Sequence, residues 1–101
     1  MKSGYKLFWT ELADKELEEA IIYLEENWTE REIKNLFIKL DTTLKILTSN
    51  PFIFQISDIE EDIRRAVIAK YNSLYYRINS DTIEIISFYN NRKDPNKRKA
   101  K

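Results

Sequence analysis

Ile63-Arg64-Arg65-Ala66-Val67-Ile68-Ala69-Lys70-Tyr71, then Asn72-Ser73, then Leu74-Tyr75-Tyr76-Arg77-Ile78: the reading of this stretch decides the fold. Upstream of residue 62 the apolar side chains recur every three to four residues. Here they crowd together as Ile, Val and Tyr, the types that suit a pleated, half-buried surface. The stretch reads as two strands, 63–71 and 73–78, turning at Asn72-Ser73, and 82–89 reads as a third, reached through Asn79-Ser80-Asp81. Links this short make antiparallel neighbours. Ile63, Arg65 and Val67 alternate with Arg64, Ala66 and Ile68 without leaving one face clearly apolar, a pattern that a β-bulge produces.

Working outward, the segment before these strands is helical. Thr29-Glu30-Arg31-Glu32 is a capping box, so a helix starts at about Glu30. Its residues Ile33, Leu36, Phe37, Leu40, Leu44 and Leu47 share one face, and it ends before Asn50-Pro51, because proline disfavours the helical state in the residue before it. An earlier helix is capped by Thr10, carries Glu11 and Asp14 in its first turn and runs to about Asn27. Ala13, Leu17, Ala20, Ile21, Leu24 and Trp28 make its apolar stripe. Ile22, Ile38 and Ile46 fall outside both stripes and are candidates for a partner surface. Residues 52–61 read as a loop with apolar anchors, and 5–9 as a short first strand. The fold class is therefore α+β, in the order β-α-α-β-β-β, with an N-terminal helical hairpin packed on a small antiparallel sheet. The 101 residues form a single domain, with a basic C-terminal tail from about residue 90.

Composition narrows the chemistry. With no Cys and no His, disulfides, thiolate sites and the usual general base near neutral pH are excluded. Neither a metal nor a cofactor is expected, and any catalysis falls to Arg, Lys, Tyr or carboxylates. Apolar runs of a few residues are far short of the twenty or so that a membrane span needs, and the N-terminus leads into no apolar signal region. A cytoplasmic location follows as the expectation. The zero net charge hides a polarity: residues 1–61 hold 7 Lys/Arg and 13 Asp/Glu, whereas residues 62–101 hold 10 and 4. A cationic working surface is expected in the second half.

This element order, with its local strings, resembles the RelE/ParE toxin superfamily. The strings are Tyr5-Lys6-Leu7-Phe8-Trp9-Thr10, Trp28-Thr29-Glu30-Arg31, Leu47-Thr48-Ser49-Asn50-Pro51, Ile63-Arg64-Arg65-Ala66-Val67, Leu74-Tyr75-Tyr76-Arg77-Ile78 and Phe88-Tyr89-Asn90-Asn91-Arg92-Lys93-Asp94-Pro95. The likeness covers about residues 5–96 and lies in the order and spacing of the strings. It implies a growth-inhibiting toxin of a type II toxin–antitoxin module, of the plasmid stabilisation kind, held in a hetero-oligomer by a cognate antitoxin. ParE-like members poison DNA gyrase. RelE-like members are metal-independent ribonucleases that cut messenger RNA on the ribosome.

Arg64, Arg65, Arg77, Tyr89, Arg92 and Lys93 are the candidates for the active surface, because arginine and lysine hold phosphate and remain cationic while an aromatic ring can stack on a base. RelE-like nucleases place an arginine just before the strand that here reads Leu74-Tyr75-Tyr76, where this chain has Ser73, and a tyrosine after the last arginine cluster, where it has none. ParE-like chains carry a Tyr-Arg pair, here Tyr76-Arg77, and an Arg-Asp, here Arg92-Lys93-Asp94 with one residue inserted. A gyrase poison is the favoured expectation; a ribosome-dependent ribonuclease, or a binding module of the same fold without toxicity, is the alternative. Arg77 could instead pair with Glu84 across the hairpin.

Overall fold

The structure, a computed structural model, describes residues 4–57, 60–69 and 72–90. Strand β1 (Lys6–Trp9) leads into helices α1 (Glu11–Asn27) and α2 (Glu30–Ser49). A 3-10 turn (Pro51–Ile53) and a two-residue strand β2 (Gln55–Ile56) follow, then β3 (Ile63–Ala69), β4 (Asn72–Asn79) and β5 (Thr82–Asn90). Both helices begin where their caps demand. The Thr10 hydroxyl accepts from the Ala13 amide, and that of Thr29 from the Glu32 amide. Thr10 also ties the start of α1 to the sheet, its hydroxyl donating to the Ile85 carbonyl at 3.0 Å.

The five strands form one sheet in the order β1-β5-β4-β3-β2. The helical hairpin and three later strands stand as the sequence implies, but the sheet is mixed rather than wholly antiparallel, because β1 lies parallel to β5, Lys6 beside Thr82 and Trp9 beside Ile85. Helix α2 brings the chain back to the start of β1, where the Tyr5 amide donates to the Thr48 carbonyl. Part of the expected loop is strand: Gln55 and Ile56 pair with Arg65 and Arg64. The expected Asn72-Ser73 turn is not a turn, since both residues lie in β4; residues 70 and 71, between β3 and β4, lie outside the described residues. The turn after Asn79 is Ser80-Asp81, with Ser80 at φ 59°, a positive value at the first turn residue as in a type II′ turn. Two register shifts break the ladder, one between Val67 and Ala69 and one in the pairing of β4 with β5 at Tyr75/Tyr76.

The core lies between hairpin and sheet. Ala13 and Ala20 of α1 and Leu36, Leu40 and Leu47 of α2 meet Ala66, Ile68, Leu74, Tyr76, Ile83, Ile85 and Phe88. The alanines let α1 lie close on β5, and the contact is fixed by Glu16, whose carboxylate accepts from the Ser87 hydroxyl at 2.7 Å and the Phe88 amide at 2.9 Å. No helix among the described residues is long and apolar enough to cross a membrane.

Candidate functional site

The helices cover one face of the sheet, and alternation along a strand turns successive side chains to opposite faces. On β3 this places Arg65 and Val67 away from the helices, while Ala66 and Ile68 enter the core. Arg65 stands opposite Tyr75 of β4, and its Nε donates to the Ser73 hydroxyl at 3.1 Å. Ser73 in turn stands opposite Tyr89 of β5. Directly opposed residues share a face. The open side of the sheet thus gathers Arg65, Ser73, Tyr75 and Tyr89, a guanidinium among aromatic rings, with Tyr75 and Tyr89 half-buried.

Arg77 lies on the same face but is committed. Its Nε reaches Asp62 at 3.1 Å, and its Nη1 reaches Glu84 at 3.4 Å. Two carboxylates flank one guanidinium, so this part of the open face is not cationic.

Arg64 does not belong to this surface. The sequence grouped it with Arg65, yet neighbours in a strand point apart, and Arg64 faces the helix side opposite Tyr76. Its Nη1 donates to the Phe54 carbonyl at 2.6 Å and to that of Phe52 at 3.3 Å. The guanidinium lies 5.3 Å from the centre of the Phe52 ring, a cation–π contact. The Tyr76 hydroxyl donates to the Pro51 carbonyl at 2.6 Å. Phe54 meets the Tyr76 ring edge-on, with centroids 6.4 Å apart. Burial pushes the Tyr76 phenol from 10.0 up to about 12, opposed by the nearby Arg64 charge. Arg64 and Tyr76 together clamp the Pro51–Ile53 turn and the chain beyond it. Arg92 and Lys93 lie outside the described residues, as do Lys70 and Tyr71.

Ile22, Ile38 and Ile46 are all exposed, as their positions off the apolar stripes require. A groove of about 640 Å³ lies along the solvent side of α2, and of these three isoleucines only Ile38 lines it. The groove also takes in Ile33 and Phe37, which the helical period assigns to the core stripe. Phe37 is 42% exposed. At 100° per residue it stands about 90° from the centre of the buried set Leu36, Leu40, Thr43 and Leu47. Helical phase measured against that narrower set would have found it.

Among the described residues no cluster of His, Cys, Asp or Glu could hold a metal ion. What the open face offers is a permanent cation beside rings that stack, which suits an anionic or planar surface.

A sequence-family model described as the ParE toxin of the type II toxin–antitoxin system parDE matches residues 7–95. No curated protein matches the chain in sequence. Solved structures do match in fold. A chromosomal ParDE toxin–antitoxin system from P. aeruginosa superposes with a TM-score of 0.70 at 16% identity, over 85% of this chain and 95% of the other. The YoeB dimer from Staphylococcus aureus gives 0.60 at 17% identity, over 86% and 97%. The E. coli DinJ–YafQ toxin–antitoxin complex gives 0.61 at 10% identity, over 89% and 96%.

Proposed function

The chain belongs to the ParE toxin family of type II toxin–antitoxin systems, and from that premise we propose that it arrests growth by binding DNA gyrase and is held inactive by a cognate antitoxin. One observation carries the choice of gyrase over messenger RNA: the arginines are not gathered. Arg64 clamps a turn on the helix side, Arg77 is neutralised by Asp62 and Glu84, and the position before Leu74 is a serine engaged by Arg65. Cutting RNA without a metal or histidine requires several cations held around one phosphate to within about half an ångström. A binding poison works with a broader cationic and aromatic patch. Arg65, Tyr75 and Tyr89 supply such a patch here, and the sequence adds the cations Arg92 and Lys93 directly after β5.

The ribonuclease reading retains one supporting feature, the arrangement of Arg65 between two tyrosines, which could hold a phosphate beside a stacked base. A protein partner is supported by the P. aeruginosa and E. coli relatives in fold, which are a ParDE system and a DinJ–YafQ complex.

Expression of the wild type in bacteria, with mapping of cleaved gyrase–DNA complexes and of ribosome-bound message ends, tests the choice. Gyrase-dependent breaks and uncut messages are expected. Codon-specific cuts with gyrase unaffected would reverse it. Arg92→Ala is expected to abolish growth arrest, and full toxicity in that variant would remove Arg92 from the surface.

A further inference from the structure

Ser73 is a buried polar residue on the face of the sheet that the helices leave open. It is 4% exposed, and its hydroxyl accepts from Arg65 Nε at 3.1 Å. The strand registers lay this face out in cross-strand rows. Gln55, Arg65 and Tyr75 form one row, and Val67, Ser73 and Tyr89 form the next. On the other side of the Arg65 row lie Arg77 and Glu84, with Asp62 bonded to Arg77. Successive rows on one face are about 7 Å apart. The carboxylates therefore gather around Arg77, whereas Arg65 has neutral residues across the strands, Gln55 and Tyr75 directly and Ser73 diagonally.

The bond to Ser73 fixes more than the place of the side chain. A guanidinium carries five N–H groups, one on Nε and four on the two Nη atoms. Ser73 takes the Nε hydrogen. None of the ion pairs among the described residues involves Arg65, and the residue is exposed. The end-on edge, with parallel N–H groups from both Nη atoms, is left for a ligand.

We propose that Ser73 is a positioning residue: by holding Nε it turns the Nη edge of Arg65 outward as a fork for the two free oxygens of one nucleic-acid phosphodiester, whose neighbouring base stacks on Tyr75. The fork alone suits a phosphate or a carboxylate. The rings favour nucleic acid. Tyr75 stands directly opposite Arg65, and Tyr89 directly opposite Ser73, both half-buried. A ring held by its surroundings and still accessible in part is a platform for a base of any sequence. An acidic peptide has no comparable use for it. Under the proposed function the phosphodiester belongs to the DNA that gyrase holds. That identity rests on the gyrase reading, whereas the fork rests on the geometry.

A short fluorescein-labelled oligothymidylate is titrated against the purified full chain by fluorescence anisotropy at low salt, where phosphate contacts are strongest. Ser73→Ala should weaken binding roughly fivefold, and Arg65→Met roughly tenfold or more. Alanine fits the space of the serine and Arg65 is exposed, so both variants should keep the wild-type thermal midpoint. Because Ser73 acts through Arg65, adding Ser73→Ala to Arg65→Met should cost nothing further. Arg65→Lys keeps the charge but loses the fork, and should bind at least as weakly as Ser73→Ala. A serine with a merely structural role would lower the midpoint and show no such coupling. Wild-type affinity in Ser73→Ala, or losses from the two substitutions that simply add, overturns the positioning role. Displacement of the oligonucleotide by an equal charge of polyglutamate makes the fork a carboxylate site and overturns the choice of nucleic acid. An RNA oligonucleotide of the same length runs in parallel, and tighter binding of RNA than of DNA overturns gyrase-held DNA as the ligand. Growth assays separate the site from the gyrase reading. A chain that arrests growth without gyrase-dependent breaks, yet holds the oligonucleotide through Arg65 and Ser73, keeps the site and loses that reading. A chain whose gyrase-dependent breaks persist at the wild-type level in Arg65→Met keeps the reading and loses the site.

Discussion

Arg64 and Arg65 are adjacent in the chain and opposite in environment, and the two faces of the sheet differ in the same way. On the helix side several polar groups are spent on structure: Arg64 on the Phe52 and Phe54 carbonyls, the Tyr76 hydroxyl on Pro51, and Glu16 on the Ser87 hydroxyl and Phe88 amide. On the open side Arg65, among the described residues, bonds only a neutral hydroxyl, and it stands among half-buried tyrosines. The same residue type is an anchor on one face and a contact group on the other, and the pleat alone decides which.

The largest difference is expected from truncating the two arginines in parallel. Arg64→Met removes charged hydrogen bonds to two carbonyls and the stacking on Phe52, and should cost about 2–3 kcal/mol. Arg65→Met should stay within about 0.5 kcal/mol of the wild type, yet weaken growth arrest. Urea unfolding of both variants, beside a growth assay, checks this. Equal stability losses would erase the distinction between the faces.

Tyr76 sharpens the comparison through pH. Tyr76→Phe leaves the Pro51 carbonyl without its donor and should cost about 1–2 kcal/mol at pH 7. The native phenol titrates near 12, against 10.0 when unperturbed. Between those values the unfolded chain has lost the proton and the native one has kept it, so stability falls as pH rises. The contribution is fully present below pH 10 and fades through pH 12, by roughly 3 kcal/mol at most. The gap between wild type and Tyr76→Phe should therefore narrow across that window. A gap of constant size would show that Tyr76 titrates as an exposed phenol does.

Much of this was legible in the residues. Thr10, Thr29 and Asn50-Pro51 bracket the two helices to the residue, because caps and proline act locally. The parallel pairing of β1 was not legible, since it joins segments some 75 residues apart and leaves no local mark. The face of Arg64 was hidden for another reason. With a register shift after Val67, the apolar positions of β3 follow no single alternation, and either phase fits 63–68. Phe37 was misplaced because it sits at the border of a broad stripe. The open-face cluster of Arg65 with Ser73, Tyr75 and Tyr89 needs the register of three strands, which no one segment contains.

The smallest effect should come from Arg77, the arginine that the open face has neutralised. Its pairs with Asp62 and Glu84 are partly exposed, the guanidinium side chain being 37% accessible and the two carboxylates 61% and 29%. Solvent and salt screen such pairs, and they contribute at most about 0.5–1 kcal/mol each. Arg77→Met removes both attractions but leaves Asp62 and Glu84 on the same patch, with access to water. The net loss should be near 1 kcal/mol in dilute buffer and should shrink toward zero in 1 M salt. Growth arrest should persist, because a cation already matched by two carboxylates has little to offer an anionic target. A variant as unstable as Arg64→Met would show that the open face is structural after all. Loss of toxicity with stability intact would return Arg77 to the contact surface.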